Sequence, residues 1–358
     1  GGPGSVAALA LALMGVFQPI FHLSDFGCKI AAVVLIFGIT AYNMVGVKLA
    51  SVVQNVSMIA KMVPVAIILL AALFVGHVTP DLSFGSAGVY AAENNTSVFS
   101  MIALAVVASL WAYEGWTNLN TVAEEMKNPR KNLPLALIIG IGGVTILYTL
   151  FNFAIMKVLP HEEIAAMIDA GDLYLGTAVA KKLLGSAGAV VVTVGMVLAM
   201  FGSMNGLILA QPRMYYAMAK EGHFFKSFTK LNKQKIPYVP VIVQAVISSA
   251  LVLLRNLSEL TDMVVLSNLL FNVMIVLAVP ILRKKFPNIE RPYKVWLYPV
   301  SIIFTAIVFV ALFVNSAIEN PLLGSIGFTV PALGAVVYWI FDRKLKKEAR
   351  ENKEANDG

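Results

Sequence analysis

Apolar residues fall in long blocks separated by short polar stretches, and ten of these blocks read as spans. They are Val6 to Phe21, Ile30 to Val47, Val52 to Val75, Val98 to Val122, Leu135 to Val158, Leu184 to Ala210, Val239 to Leu254, Met263 to Leu282, Val295 to Val314 and Leu323 to Phe341. A helix of about 20 mostly apolar residues crosses a bilayer, and in lipid such a helix satisfies its own backbone polar groups. The pattern predicts an all-α integral membrane protein. Two connectors carry structure of their own. His161 to Lys182 places Ile164, Met167 and Ile168 at helical spacing between acidic residues, which predicts a short outer helix. Gln211 to Lys235 continues a span into a basic, aromatic segment on the other side.

Composition supports this and excludes a soluble domain: 58% of the 358 residues are hydrophobic and 13% charged, against roughly 45–50% and about 25% in soluble proteins. The net charge of +7 would suit a nucleic-acid partner, but its placement points to a membrane face. One set of alternate loops holds Lys48 and Lys61, then Lys127, Arg130 and Lys131, then Arg213, Lys220, Lys226, Lys230, Lys233 and Lys235, then Arg283, Lys284, Lys285, Arg291 and Lys294. The opposite side holds only Lys29, Lys157, Lys181, Lys182 and Arg255. Basic residues near span ends stay in the cytoplasm, so both chain ends are predicted to be cytoplasmic in a multi-pass cell-membrane protein. Residues 1–342 then form the transmembrane domain, and the basic tail 343–358 is predicted to be disordered. The first span is short, holds Gln18 and Pro19 and follows Gly1 rather than a methionine, so an amino-terminal truncation is expected.

Catalytic and metal chemistry find little support. One cysteine, Cys28, and four scattered histidines offer no metal-ligand spacing. No phosphate-binding loop and no nucleophile or redox constellation is present, so neither an enzyme nor a cofactor is expected. Asn94-Asn95-Thr96-Ser97 and Asn256-Leu257-Ser258 have the form of outer-side glycosylation sequons, sequences too short to carry weight alone.

Polar residues inside apolar blocks are more informative. Lys61 lies about 9 residues, roughly 13 Å, into the third span, where a cation costs about 2.5–3.5 kcal/mol and should face the bundle or water. Pro64 nearby frees a backbone carbonyl that the ammonium could use; the alternative is a lysine snorkelling to the interface. Trp111-Ala112-Tyr113-Glu114-Gly115-Trp116 interrupts the fourth span. A helix break at that depth lines a cavity, whereas an aromatic belt with Glu114 at the interface is the other reading. Asn205 and Asn272 suit interhelical hydrogen bonds or a substrate site. Glu124 and Glu125 read as a solvated helix end.

The run Leu110-Trp111-Ala112-Tyr113-Glu114-Gly115-Trp116, continuing through Asn118 to Glu124-Glu125-Met126-Lys127-Asn128-Pro129 and Asn132-Leu133-Pro134, resembles the sixth helix of L-type amino acid transporters of the amino acid, polyamine and organocation superfamily. The likeness extends to Lys48, Val53-Gln54-Asn55, Lys61, Asn205-Gly206, Arg213, Glu221-Gly222-His223 and Glu290-Arg291-Pro292-Tyr293-Lys294-Val295. The resemblance implies a LeuT-like inverted-repeat fold, in which the ten spans correspond to family helices three to twelve and residues 1–342 to the permease domain. It also implies a substrate site at Ser109, Leu110, Trp111, Ala112, Tyr113 and Glu114, with Asn205 and Asn272 as further candidates. Trp111 would gate over the bound amino acid, and carbonyls from Ser109 to Ala112 would accept its ammonium hydrogens. Lys61 would occupy the region that a coupling sodium fills in sodium-driven relatives.

Glu114 departs from the eukaryotic pattern of the family and is similar to bacterial members, which suggests a bacterial origin. Cys28 is not at the position where heteromeric animal members join a heavy chain, so a free thiol and no heavy-chain partner are expected. The implied activity is sodium-independent exchange of small or medium neutral L-amino acids. A proton-coupled importer is the first alternative, and a non-transporting membrane binding protein or an inactive fragment the second. The implied partners are the amino acid substrate and membrane lipid.

Overall fold

The computed structural model describes residues 2–45, 47–81, 83, 97–113, 115–117, 119, 126–172, 174–291 and 293–357. Helices follow in the order α1 (Gly2–Phe21), α2 (Asp25–Val45), α3 (Val47–Val75), α4 (Val98–Ala112), α5 (Pro129–Met156), α6 (His161–Asp169), α7 (Leu175–Lys220), α8 (Tyr238–Leu254), α9 (Leu257–Lys285), α10 (Val300–Glu319) and α11 (Pro321–Asp357). A 3-10 turn at Lys226–Thr229 and an isolated bridge between Leu231 and Pro237 lie between α7 and α8. Among the described residues there is no β-sheet. The protein is an all-α membrane protein, as its hydrophobic blocks require.

Each of the ten expected spans coincides with a helix, but the ends differ for local reasons. Among the described residues eight helices, α1, α2, α3, α5, α7, α9, α10 and α11, are long and apolar enough to cross a bilayer. α4, with 15 residues, reaches only about 22 Å at 1.5 Å per residue, short of a hydrocarbon core of about 30 Å. α9 begins six residues before the expected Met263 because Asn256 caps it: its Oδ1 accepts the Glu259 N–H at 2.9 Å. The capping residue and the polar first turn hide this start from hydropathy. α10 begins at Val300 rather than Val295, directly after Pro299 at its N-cap, since proline suits a helix start and disfavours helix before it.

The predicted short helix is α6, which ends at Asp169 rather than running toward Lys182. Residues from Leu175 form the first arm of α7, and non-helical backbone at Gly185 separates that arm from the apolar span. At its other end α7 continues to Lys220 and stops at Gly222, whose φ of +80° favours glycine. The His223 N–H returns to Met218 O at 2.9 Å and the Gly222 N–H to Ala219 O at 3.1 Å, which satisfies the last carbonyls. α11 runs to Asp357, and the Ala, Glu, Lys and Arg residues of the tail sequence are strong helix formers.

The chain divides into two compact units. The first comprises Gly1–Lys61, Met196–Ser267 and Leu322–Gly358. Its centre is α1 against α2 and α8, where Ala7, Ala8, Ala10, Ala32 and Ala245 are buried. Such small side chains let helix backbones approach closely, the main source of packing energy between helices in lipid. Polar groups are enclosed as well: the Ser248 hydroxyl donates to Pro3 O at 2.9 Å, and Asn43 Nδ2 donates to Asn205 Oδ1 at 2.9 Å.

The second unit comprises Met62–Gly195 and Asn268–Pro321. Here α4 packs on α10, and the Ser100 hydroxyl donates to Glu319 Oε1 at 3.0 Å. Of the five basic residues assigned by sequence to the sparsely charged side, four have a partner across both units. Lys157 Nζ donates to Leu73 O at 3.0 Å at the end of α3, and Lys29 Nζ to Leu253 O at 3.1 Å at the end of α8. Lys182 pairs with Glu163 at 2.6 Å, and Arg255 lies 3.6 Å from Glu259. Cations at helix C-termini complement the dipole and occupy orphan carbonyls. These exceptions to the charge asymmetry therefore have structural uses.

Candidate functional site

The helix break expected in the fourth span is present. α4 stops at Ala112, and Tyr113 caps it at φ −90° and ψ −1°, with its N–H on Leu110 O at 3.2 Å. Gly115 follows at φ +113°, a conformation that an L side chain rarely adopts, and Trp116 and Thr117 form a 3-10 turn. Glu114, Asn118, Glu124 and Glu125 lie outside the described residues. Ser109 turns its hydroxyl back onto Val106 O at 2.8 Å, so its side chain is used locally. Leu110, Trp111 and Tyr113 are half-buried and Ala112 is exposed.

A side chain that sequence reasoning did not single out organises this break. Tyr148 of α5 donates its hydroxyl to Ala112 O at 3.1 Å, and its ring meets Tyr113 edge to face at 5.2 Å and 77°. One bond thus satisfies a carbonyl that the helix end leaves without an intrahelical donor, and the ring contact fixes the first residue beyond it. The available signal was a tyrosine within a span, but aromatics in spans are usually read as interface residues. Ala112 itself is one of the carbonyls expected to meet the substrate ammonium.

The remaining candidates are distributed between the units. Lys61 and Asn205 belong to the first, and Trp111 and its neighbours with Asn272 to the second. Lys61 is half-buried on α3, between Ser57 and Pro64, both buried. In the first unit a Cβ at Gly202 of α7 would lie 2.6 Å from that of Ser57; in the second, a Cβ at Gly195 would collide with the Pro64 ring. Seven residues separate the two sites on each helix, so glycines of α7 admit α3 on both sides of Lys61. Asn205 is fully buried and accepts from Asn43, which also donates to Ile39 O at 2.9 Å. This is the interhelical bond that is the ordinary use of asparagine in a span. Asn272 is half-buried on α9. Among the described residues no three His, Cys, Asp or Glu side chains form a metal-binding group. Cys28 is free and buried.

A bundle of apolar helices, one of them ending in mid-span with aromatic residues and backbone carbonyls at the break, defines a polytopic helical membrane protein of the discontinuous-helix kind. The amino acid permease family matches residues 1–341, and the chain belongs to that family. It is 30% identical over 301 residues to the serine/threonine exchanger SteT of Bacillus subtilis, covering 83% of this chain and 66% of the relative. It is 30% identical over 318 residues to the mouse b(0,+)-type amino acid transporter 1, covering 85% of this chain and 62% of the relative. With the human cystine/glutamate transporter it shares 29% identity over 349 residues, 95% of this chain and 66% of the relative. The chain thus spans just under two thirds of the length of these relatives.

Proposed function

We propose that the protein takes part in sodium-independent exchange of amino acids across the cell membrane by alternating access. The observation that carries this is the end of α4 at Ala112, in a chain whose relatives are named as amino acid exchangers and transporters. Carbonyls from Ser109 to Ala112 accept the ammonium hydrogens of the substrate, and Trp111 closes over it. Tyr148 holds the break in shape, so the acceptors are positioned before the substrate arrives. The Lys61 ammonium provides a fixed positive charge where a coupling sodium would otherwise bind. Both chain ends lie on the cytoplasmic side, which the concentration of basic residues in one set of alternate loops supports.

Small or medium neutral L-amino acids are the proposed substrates, and Glu114, two residues beyond the end of α4, leaves a cationic substrate as the alternative. Counterflow in proteoliposomes tests both the mode and the class. Internal unlabelled serine should accelerate uptake of labelled serine without sodium and without a proton gradient. Uptake that ignores the internal pool and follows the proton gradient would replace exchange by proton-coupled import. Stimulation by arginine but not by serine would overturn the substrate class.

A further inference from the structure

Residues 286–299 join α9 to α10 in the second unit, and their exposed side chains are not those of a connector in water. Trp296 is 78% exposed, Ile289 59% and Leu297 58%, and Phe286 and Tyr293 are exposed as well. Exposed apolar side chains grouped in this way point to a membrane or a protein partner. The charges favour the membrane. Lys284, Lys285 and Lys294 are exposed, and none pairs with an acid among the described residues. Glu290 is the one acid between Arg283 and Val300, and Arg130 takes it at 2.7 Å. The connector therefore presents ammonium groups among aromatic and aliphatic tips, with no free carboxylate. It also joins two helices that are each long and apolar enough to cross a bilayer, which places it at a membrane surface.

These side chains stand on a fixed backbone. The Arg291 guanidinium donates to Phe286 O at 2.6 Å, to Ile289 O at 3.1 Å and to Pro287 O at 3.2 Å, so it folds the start of the connector against the end of α9. At the other end Leu297 has φ +52°, an outlier for a bulky side chain. The Ser301 hydroxyl donates to Trp296 O at 2.7 Å and the Ser301 N–H to Leu297 O at 3.1 Å, which ties that turn to the first turn of α10. The Arg283 guanidinium lies 3.8 Å from the centroid of the Tyr298 ring and joins the turn to α9. A left-handed leucine held from both helices keeps Trp296 and Leu297 turned outward, where burial within the protein would have been the ordinary outcome.

We propose that this connector is a docking surface for the headgroups of anionic phospholipids. Trp296 and Leu297 enter the boundary between headgroups and acyl chains, where an indole is favoured. Lys284, Lys285 and Lys294 take the lipid phosphates, and a net negative headgroup is preferred over a zwitterionic one because its charge is not offset by an ammonium of its own. The proposal is independent of which amino acid is carried.

The full chain is reconstituted in phosphatidylcholine liposomes that contain a small, equal fraction of brominated phosphatidylglycerol or brominated phosphatidylcholine, with the bromines near the carboxyl end of the acyl chains. Bromine quenches tryptophan only at close contact, and subtracting the emission of Trp296→Phe in each background isolates Trp296 from Trp111, Trp116 and Trp339. Brominated phosphatidylglycerol should quench Trp296 about three-fold more than brominated phosphatidylcholine, and the excess should shrink as salt is added. Replacing Lys284, Lys285 and Lys294 together by Gln should remove the excess. Replacing Lys226, Lys230 and Lys233 by Gln, an equal charge loss outside the connector, should leave it in place. Equal quenching by the two lipids in the parent would reduce the connector to an aromatic anchor indifferent to headgroup charge. Quenching by neither would mean that a protein segment covers it instead. Either result overturns the proposal, as does an equal loss of the excess in the two triple variants.

Discussion

The hydroxyl of Tyr148 makes one hydrogen bond, to the last helical carbonyl of α4, and that bond is open to direct test. Tyr148→Phe keeps the ring against Tyr113 and removes only the donor. The exchange rate should fall up to about ten-fold, on a net bond value of about 0.5–1.5 kcal/mol, with the unfolding midpoint little changed. A rate equal to that of the parent would show that Ala112 O needs no fixed donor. Lys61→Ala should cut exchange more deeply, because a charge and not just a bond is lost, while surface expression persists. Unchanged exchange would return Lys61 to the snorkelling reading. Sequence showed Lys61 because a cation in an apolar run is conspicuous. Tyr148 was hidden because tyrosine is ordinary in spans, and its partner is a backbone atom 36 residues away.

At the scale of helices, what decides fit is where side chains are absent. Gly195 and Gly202 admit Pro64 and Ser57, and the proline ring has no rotamer into which it can withdraw. Gly195→Val should therefore destabilise by about 1–3 kcal/mol, read as a lower unfolding midpoint in detergent. Gly334→Ala, where a Cβ meets nothing within 4 Å, serves as the control. Equal effects of the two would show that no tight seam exists at Gly195. Lys157 supplies the converse case, a long side chain that closes the end of α3. Lys157→Met keeps the methylene stem and should lower the midpoint, whereas Lys181→Met, with no such bond, should not. The ten spans were legible because hydrocarbon imposes the same apolar requirement on every residue of a span. Their true ends were less so, since Asn256, Pro299 and Gly222 act through capping, ring geometry and φ, which hydropathy does not record.

For the molecule as a whole, the topology can be read by labelling, because the sole cysteine, Cys28, is buried and contributes little background. Asp169→Cys should react with an impermeant maleimide on intact cells, and Lys353→Cys only after permeabilisation. The reverse pattern would invert the proposed orientation. Apolar content and charge asymmetry are summed properties of the chain, so the sequence alone determined a polytopic helical protein and its proposed orientation. The Trp111 to Trp116 motif marked the break, because glycine after a polar residue in mid-span opposes a continuous helix. Only the tertiary structure decided how far α4 reaches, that Tyr148 closes its end, and that Asn43 spends Nδ2 on Asn205. Those outcomes depend on which distant segments meet and on directional hydrogen bonds, and no local pattern of apolar and polar residues encodes either.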